Sequence, residues 1–361
     1  VRSDLLSVPG AVEAGGIDTG VAAHYGDPIR EQRLLAEGLA VVDLSHRGVV
    51  TVSGPDRLDW LHSLTTQQLA DLAPYRSAET LVLSPHGHIE HALHLVDDGV
   101  TTWLSVEPGT AGDLVAWLDR MRFMRRVEVV DHTEAYAVLG EPVDAEAQPG
   151  EPMAWRDPWP GPVGDTACYG PASDQPGSDQ PGSDLPGSAH PGSDQPGSAH
   201  PGSERAWREL IVPRDQLRAA VGDRALAGTW AAEAARVAAW RPRLGAETDH
   251  RTIPHEVDWL RTAVHLHKGC YRGQETVARV HNLGKPPRRI VFGHLDGSGH
   301  TLPSAGEPLH AGGRPVGRLT TVARHWESGP IALAVVRRNT PPDAVLTAGD
   351  VAVAQTVVVA P

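Results

Sequence analysis

Hydrophobic and polar positions alternate between helical and extended spacing along the first 140 residues. Residues 27–38 place Ile29, Leu34 and Leu35 on one side and end at Gly38, which predicts a helix. Residues 40–44 and 48–53 are short apolar runs and predict strands. Residues 55–64 start with Pro55 in the first turn and carry Leu58, Leu61 and Leu64 at helical spacing. A hairpin is predicted from 81–84 and 89–96 around Pro85-His86-Gly87. A strand at 102–106, a helix at 110–121 and strands at 126–130 and 135–139 follow.

From residue 173 to 202 the pattern collapses into six copies of a five-residue unit of the type SDQPG, SDLPG or SAHPG. Pro and Gly in each unit oppose helix and sheet, and almost nothing apolar is available to bury. A disordered surface insertion is expected, with the Pro/Gly-biased flanks assigned to it, so that it runs from 141 to 204. His190 and His200 could bind metal only weakly at that spacing. Beyond it, 209–212 predicts a strand, and 214–221 and 229–240 predict helices, the second closed by Pro242. From 289 onward the periodicity becomes β-like, at 289–295, 316–323, 331–336 and 351–359, separated by Gly and Pro turns. The expected fold class is α+β followed by an all-β C-terminal module, a small antiparallel barrel or sandwich.

Composition narrows this little. The 361 residues carry a formal net charge of −13, which argues against a general nucleic-acid coat. Residues 236–289 run against that balance, with eleven Lys or Arg and five Asp or Glu. That local excess suggests an anionic ligand, or else a solvated basic face. No run approaches the length of a membrane helix. The first 20 residues lack the basic start and apolar core of a secretory signal and are expected to be flexible. Two cysteines, Cys168 and Cys270, give no disulfide framework and no zinc or cluster spacing, which favours a reducing, cytoplasmic setting.

Candidate chemistry concentrates at 268–275, KGCYRGQE. Lys268 and Arg272 stand near Cys270 and would favour its thiolate, and His265, His267 and His281 are close in sequence. The alternative is a buried structural cysteine. Gly269 and Gly273 suggest a turn with unusual backbone angles or a ligand contact. Gln274 and Glu275 can present an amide and a carboxylate to a ring edge such as a pterin. Cys168 falls in the Pro/Gly-biased flank and is expected to be incidental. His86, His88 and Glu90 alternate on one strand as a possible metal site, with surface histidines as the simpler account. No metal is assigned. Of the ten tryptophans, Trp230, Trp240 and Trp259 are expected in the core.

The motif KGCYRGQE, continued by Ala278-Arg279, resembles the signature of the YgfZ family of folate-binding proteins, relatives of the glycine cleavage T-protein (aminomethyltransferase). VDLSHRG at 42–48, VSGPD at 52–56, LTT at 64–66, WL at 117–118 and RRVE at 125–128 are similar to the superfamily's N-terminal half. Residues 236–245 and IPHE at 253–256 resemble the segment leading to the cysteine motif, and the β-rich tail its C-terminal barrel. The resemblance implies an aminomethyltransferase-like folate-binding fold, with domains around a central cavity. Its folate-binding part spans 21–140 and 205–288, with a barrel at 289–361.

It also implies a tetrahydrofolate, or a one-carbon derivative, as cofactor. The implied role is iron–sulfur cluster assembly or repair in client enzymes, including those that modify tRNA. Folate and iron–sulfur client or assembly proteins are the implied partners; no membrane and no direct nucleic-acid binding is expected. Lys268 and Cys270 carry over as the functional pair, with Tyr271, Gly273, Gln274, Glu275 and Arg279 around them. Arg236 and Arg243 are placed toward the folate, in the basic region expected to draw its glutamate tail. T-proteins carry an aspartate pair after the hairpin turn, where this chain has Glu90-His91. They also carry a pterin-binding glutamate where Ala238 stands here. That points away from aminomethyl transfer, though Glu90 could substitute. A tetrahydrofolate-dependent aminomethyl- or methyltransferase and a non-catalytic scaffold for client proteins remain the alternatives.

Overall fold

The computed structural model describes residues 1–169, 206–299 and 301–361. The pentapeptide repeats at 173–202 lie outside the described residues. A short N-terminal ribbon, β1 (Val12–Glu13) and β2 (Ala22–His24), precedes helix α1 (Pro28–Ala36). Asp27 caps α1 by accepting from the Arg30 amide, and Pro28 occupies the first turn, where its missing N–H costs nothing. Then come β3 (Ala40–Asp43), β4 (Gly48–Ser53), α2 (Arg57–Leu64), β5 (Ser77–Leu83), β6 (Ile89–Asp97), β7 (Thr101–Val106) and α3 (Ala111–Met121). They continue into β8 (Glu128–Asp131), β9 (Tyr136–Glu141), β10 (Met153–Arg156), β11 (Arg208–Pro213), α4 (Leu217–Val221), β12 (Ala225–Ala227) and α5 (Thr229–Ala238).

Two five-stranded sheets result. One runs β5-β6-β7-β4-β8 and is wholly antiparallel; the other runs β10-β11-β9-β3-β12, with β12 parallel to β3. After α5, short α6 (Leu260–Ala263) and then α7 (Gln274–Leu283) lead to β13 (Arg288–Leu295), β14 (Pro308–Ala311), β15 (Arg314–His325), β16 (Gly329–Arg337), β17 (Leu346–Ala348) and β18 (Val351–Val357). These six strands close into an antiparallel barrel. Closure removes the free edges that an open sheet of this length would expose.

One core cluster joins the parts. Leu81, Leu83 and Ile89 of the β5–β6 hairpin pack with Trp240, Val257 and Trp259, with Tyr271 and Val277 of the cysteine motif, and with Phe292 and Ile331 of the barrel. Trp240 and Trp259 are buried as expected, whereas Trp230 is exposed beside His24.

The flank assigned to the insertion is a correction. Residues 141–169 are built into the fold. β10 pairs along β11 from Met153↔Ile211 to Arg156↔Arg208. Ala147, Trp155 and Trp159 are buried, and the Trp155 Nε1–H donates to the Ala78 carbonyl at 2.9 Å. The Tyr169 amide donates to Asp258 at 2.7 Å, and its carbonyl accepts from the Ala360 amide. Two tryptophans bring more apolar area than the surrounding Pro and Gly remove.

Candidate functional site

Cys270 lies in the connection from α6 to α7, with its neighbours held on both sides. It is exposed and forms no disulfide. Lys268 is buried, and its Nζ donates to the backbone carbonyls of Thr65 at 2.6 Å, Gln67 at 2.8 Å and His62. These carbonyls belong to the C-terminal end of α2 and the turn after it, where a helix leaves acceptors unpaired and its dipole is negative. Burial pulls the Lys268 ammonium down to about 7. The Tyr271 ring stands 5.4 Å from the same Nζ. Arg272 donates to Glu90 at 2.9 Å and lies over the Trp117 ring at 5.8 Å. The two cations expected to activate the thiol are therefore engaged elsewhere. Among the described residues, no hydrogen bond or ion pair joins either to Cys270.

Of the two motif glycines, Gly273 is the constrained one. Its φ of +85° lies in the left-handed region, and a Cβ there would come within 2.6 Å of the Ser84 carbonyl oxygen. Close contact with Gly87 at the hairpin tip lets the start of α7 rest on the β5–β6 turn. Gly273→Ala is expected to lower stability by about 2 kcal/mol through strain and clash together. A thermal midpoint unchanged from the parent would contradict this. A Cβ on Gly269 would meet nothing within 4 Å, so no steric demand exists there.

Gln274, Glu275 and Arg279 lie on α7, the last two exposed, and Tyr271 is in the core. None of them lines the cavity that holds Arg236 and Arg243. The expected cofactor residues thus fall into two separate groups.

That cavity, of about 80 Å³, is walled by Arg47, His94, Glu107, Trp155, Asp157, Glu209, Glu233, Arg236, Arg241 and Arg243. The chain neutralises its own arginines there. Arg236 donates to Glu233 and Glu247, each at 2.7 Å, and to Thr321 of β15 at 2.9 Å. Arg241 binds Glu79 at 2.6 Å and Asp157 at 3.1 Å. Arg243 binds Asp18 at 2.8 Å, Glu107 at 3.0 Å and Glu233 at 3.3 Å. Arg47 reaches Glu107 at 3.0 Å. Outside the cavity Arg288 pairs with Asp249 and Glu256. The arginines of 236–289 that line the cavity are therefore matched by carboxylates, Arg241 and Arg243 by distant ones and Arg236 by Glu233 and Glu247 close in sequence. They are not a free field for a glutamate tail, which corrects that expectation.

Two carboxyls share Arg241 and diverge. Burial raises Asp157, and the guanidinium offsets this only in part. For Glu79 burial also opposes ionisation, yet Arg241 and His94 outweigh it and the carboxyl is lowered. Separation of a neighbouring pair in this way marks a place able to hold a proton. Burial opposes Glu209 as well, and Arg47 and His94 hold it far below the usual carboxylate range. The His94 ring donates to the Glu209 carboxylate through Nδ1 at 2.9 Å and stacks on Trp155 with centroids 3.6 Å apart and planes 6° from parallel.

Asp157, Glu209, His94 and Trp155 were not singled out by the sequence reading. Trp155 and Asp157 sit in the stretch taken for disorder, where the tryptophans were the available signal. His94 is legible only as a polar position facing inward on β6.

A second cavity, of about 640 Å³, opens between β6 and α3, lined by Ser84, His88, Glu90, His91, Asp113, Trp117, Arg120, His250 and Arg272. Burial lowers His88 and His91. His86 and His88 have ring centroids 6.2 Å apart, and Glu90 is held by Arg272. Among the described residues no three His, Cys, Asp or Glu side chains stand where they could hold a metal ion. No helix among those residues is long and apolar enough to cross a membrane.

Comparison with known proteins agrees with this architecture. Residues 22–140 match the GCVT N-terminal domain, and residues 288–358 match the CAF17 C-terminal beta-barrel domain. Together they support a relationship to the glycine cleavage T-protein superfamily and to CAF17-like proteins. The chain is 26% identical over 320 residues to a chloroplastic protein of Arabidopsis thaliana that bears a transferase name, covering 88% of this chain and 69% of that one. It is 25% identical over 310 residues to an aminomethyltransferase of Symbiobacterium thermophilum, covering 82% of this chain and 78% of the relative. The crystal structure of glycine cleavage system aminomethyltransferase T from Bartonella henselae superposes with a TM-score of 0.69 at 17% identity, covering 98% of this chain and 94% of the other. The fold is aminomethyltransferase-like, with a closed six-stranded antiparallel barrel at its C-terminal end.

Proposed function

We propose that this chain is a tetrahydrofolate-binding protein that assists iron–sulfur cluster assembly or repair in client enzymes. Cys270 is its point of contact with the partner. One observation carries this reading: Cys270 is an exposed, unpaired thiol on a loop pinned by buried Lys268 and by Gly273. A single thiol cannot hold a cluster, so its contact is shared with a client or an assembly protein. The pairing of a T-protein-type N-terminal domain with a CAF17-type barrel supports it.

The donor set of the smaller cavity suits a pterin. The His94–Trp155 stack gives an aromatic wall, and Asp157, Glu107 and Glu209 offer acceptors to ring N–H groups. Arg241 orients Asp157, Arg243 and Arg47 orient Glu107, and Arg47 also pairs with Glu209, while Arg236 is held by Glu233 and Glu247. When bound, tetrahydrofolate would supply a one-carbon carrier. A volume of 80 Å³ matches two or three waters, so entry of the ring requires these side chains to move apart. Aminomethyl transfer is the weaker reading. Glu90, the carboxylate adjacent to where the aspartates are expected, is tied to Arg272.

The test is Cys270→Ala in cells lacking the native protein. Cluster-enzyme activity should stay at the level of the empty strain, while calorimetry shows tetrahydrofolate binding as in the parent. Full rescue by the variant would remove the role given to Cys270. Absence of folate binding in the parent would remove the cofactor.

A further inference from the structure

The cavity of about 640 Å³ has a built polarity that the folate reading does not use. One wall is a single stripe of α3. Thr110 precedes the helix, and Asp113, Trp117 and Arg120 follow at spacings of four and three, which places them on one face. Asp113 and Arg120 are both exposed to the cavity mouth. Among the described residues, neither side chain makes a hydrogen bond or an ion pair, and Asp113 acts on the His91 ring only through its charge. Trp117 lies between them, its side chain buried and its ring already facing one cation, Arg272.

Across the cavity stand β6 and the hairpin turn. Glu90 and Arg272 neutralise each other there. His91 presents a buried Nδ1 that has no hydrogen-bond partner. The cavity therefore offers one unmatched negative charge, one unmatched positive charge, the small exposed part of Trp117 between them, and three imidazoles, of which His91 carries a buried nitrogen without a partner.

Seven residues of helix separate the two charges by roughly 10 Å along the axis. A long helical side chain leans toward the N-terminus, so the Arg120 guanidinium swings back over the turn of Trp117 and shortens the gap. An extended chain of five methylenes separates an amine from a carboxylate by roughly 7 Å. We propose that this cavity binds an ω-amino carboxylate: its ammonium at Asp113, its carboxylate at Arg120 and its aliphatic middle on Trp117. Unlike charges at matching spacing select a zwitterion over a simple acid or a simple amine. An anion alone would face Asp113 and Glu90, and a cation alone Arg120 and Arg272.

Calorimetry of the full chain with 6-aminohexanoate tests this, with hexanoate and hexylamine as controls. The zwitterion is expected to bind at least tenfold more tightly than either control, equivalent to about 1.4 kcal/mol. Asp113→Asn and Arg120→Gln are each expected to weaken it about tenfold. Both sites are exposed on the helix, so a thermal midpoint within a degree or two of the parent confirms that the variants are folded. Cys270→Ala should bind it unchanged. Hexanoate binding as tightly as 6-aminohexanoate would overturn the proposal in favour of a plain anion site. Binding by both charge variants as tight as that of the parent, or no heat at millimolar ligand, would overturn it outright. None of these outcomes depends on whether tetrahydrofolate binds.

Discussion

Replacing Lys268 with methionine is expected to lower stability by about 3 kcal/mol, because the carbonyls at the end of α2, two of them buried, lose their donor together. The ammonium of Lys268 is received by the carbonyls of His62, Thr65 and Gln67 at the end of α2. Methionine matches the stem in length and polarity, so the packing survives and the missing donor is isolated. Urea unfolding should show a lower midpoint with an unchanged slope. Arginine should not rescue it, since a planar fork cannot fan its donors from a single nitrogen toward three separate carbonyls.

The deficit should also depend on pH. Burial holds the folded pKa at about 7, below the ordinary 10.5, so the unfolded chain binds the extra proton between those values. Stability linked to this group is fully present above the unfolded pKa and fades as pH falls through 7. The gap between parent and methionine variant should therefore widen from pH 7 to pH 10, where the folded side chain is the neutral amine and still directs two N–H donors at these carbonyls. A loss under 1 kcal/mol at all pH values would mean that Lys268 is not the anchor of the Cys270 loop.

This anchoring changes how the motif is understood. Sequence proximity placed Lys268 beside the thiol, whereas the fold turns its side chain inward to α2. The motif itself was legible because its information is local: Gly273 must have positive φ at the start of α7, and Tyr271 and Val277 are apolar at core positions. The direction of Lys268 was not local. Its partners lie 201 to 206 residues away.

The same reason explains the arginine cluster. Residues 236–289 looked basic because only near neighbours could be counted. Arg243 meets Asp18 across 225 residues, and Arg241 meets Glu79 across 162. Charge balance in a cavity belongs to the tertiary structure. Extended runs were easier to read. The strand predicted at 48–53 is β4, and those at 289–295 and 331–336 lie within β13 and β16. The strands that escaped, such as β12, β14 and β17, have three or four residues, too few for a period of two to stand out. Helix α7 escaped for another reason: Val277 is its one buried residue, so it has almost no apolar stripe.

Histidine 255 gives the second large effect, in acid. It is fully buried on the turn Pro254–Val257, and neither ring nitrogen has a hydrogen-bond partner at full geometry. Burial lowers it to about 4, the nearby His281 adds to the shift, and the Val277 backbone offsets it only in part. The Tyr169 ring meets it edge-on at 5.4 Å and offers no charge. Next to it in the chain, Glu256 is held by Arg288, so that carboxylate is not free to receive an imidazolium.

With a folded pKa near 4 against an ordinary 6.5, the unfolded chain takes the proton first. Stability from this group is present above pH 6.5 and is lost as pH falls toward 4. Between pH 7 and pH 4 the parent should lose about 3 kcal/mol more than a His255→Leu variant, which has no ring to protonate. Other carboxylates titrate in the same range, but they do so equally in both proteins and cancel in the difference. Because His255 packs against α7, amide exchange at 274–283 should rise in acid before that of the barrel strands, and the leucine variant should abolish that order. Parallel stability curves for the two proteins would show that His255 is already charged, or already unburied, at neutral pH.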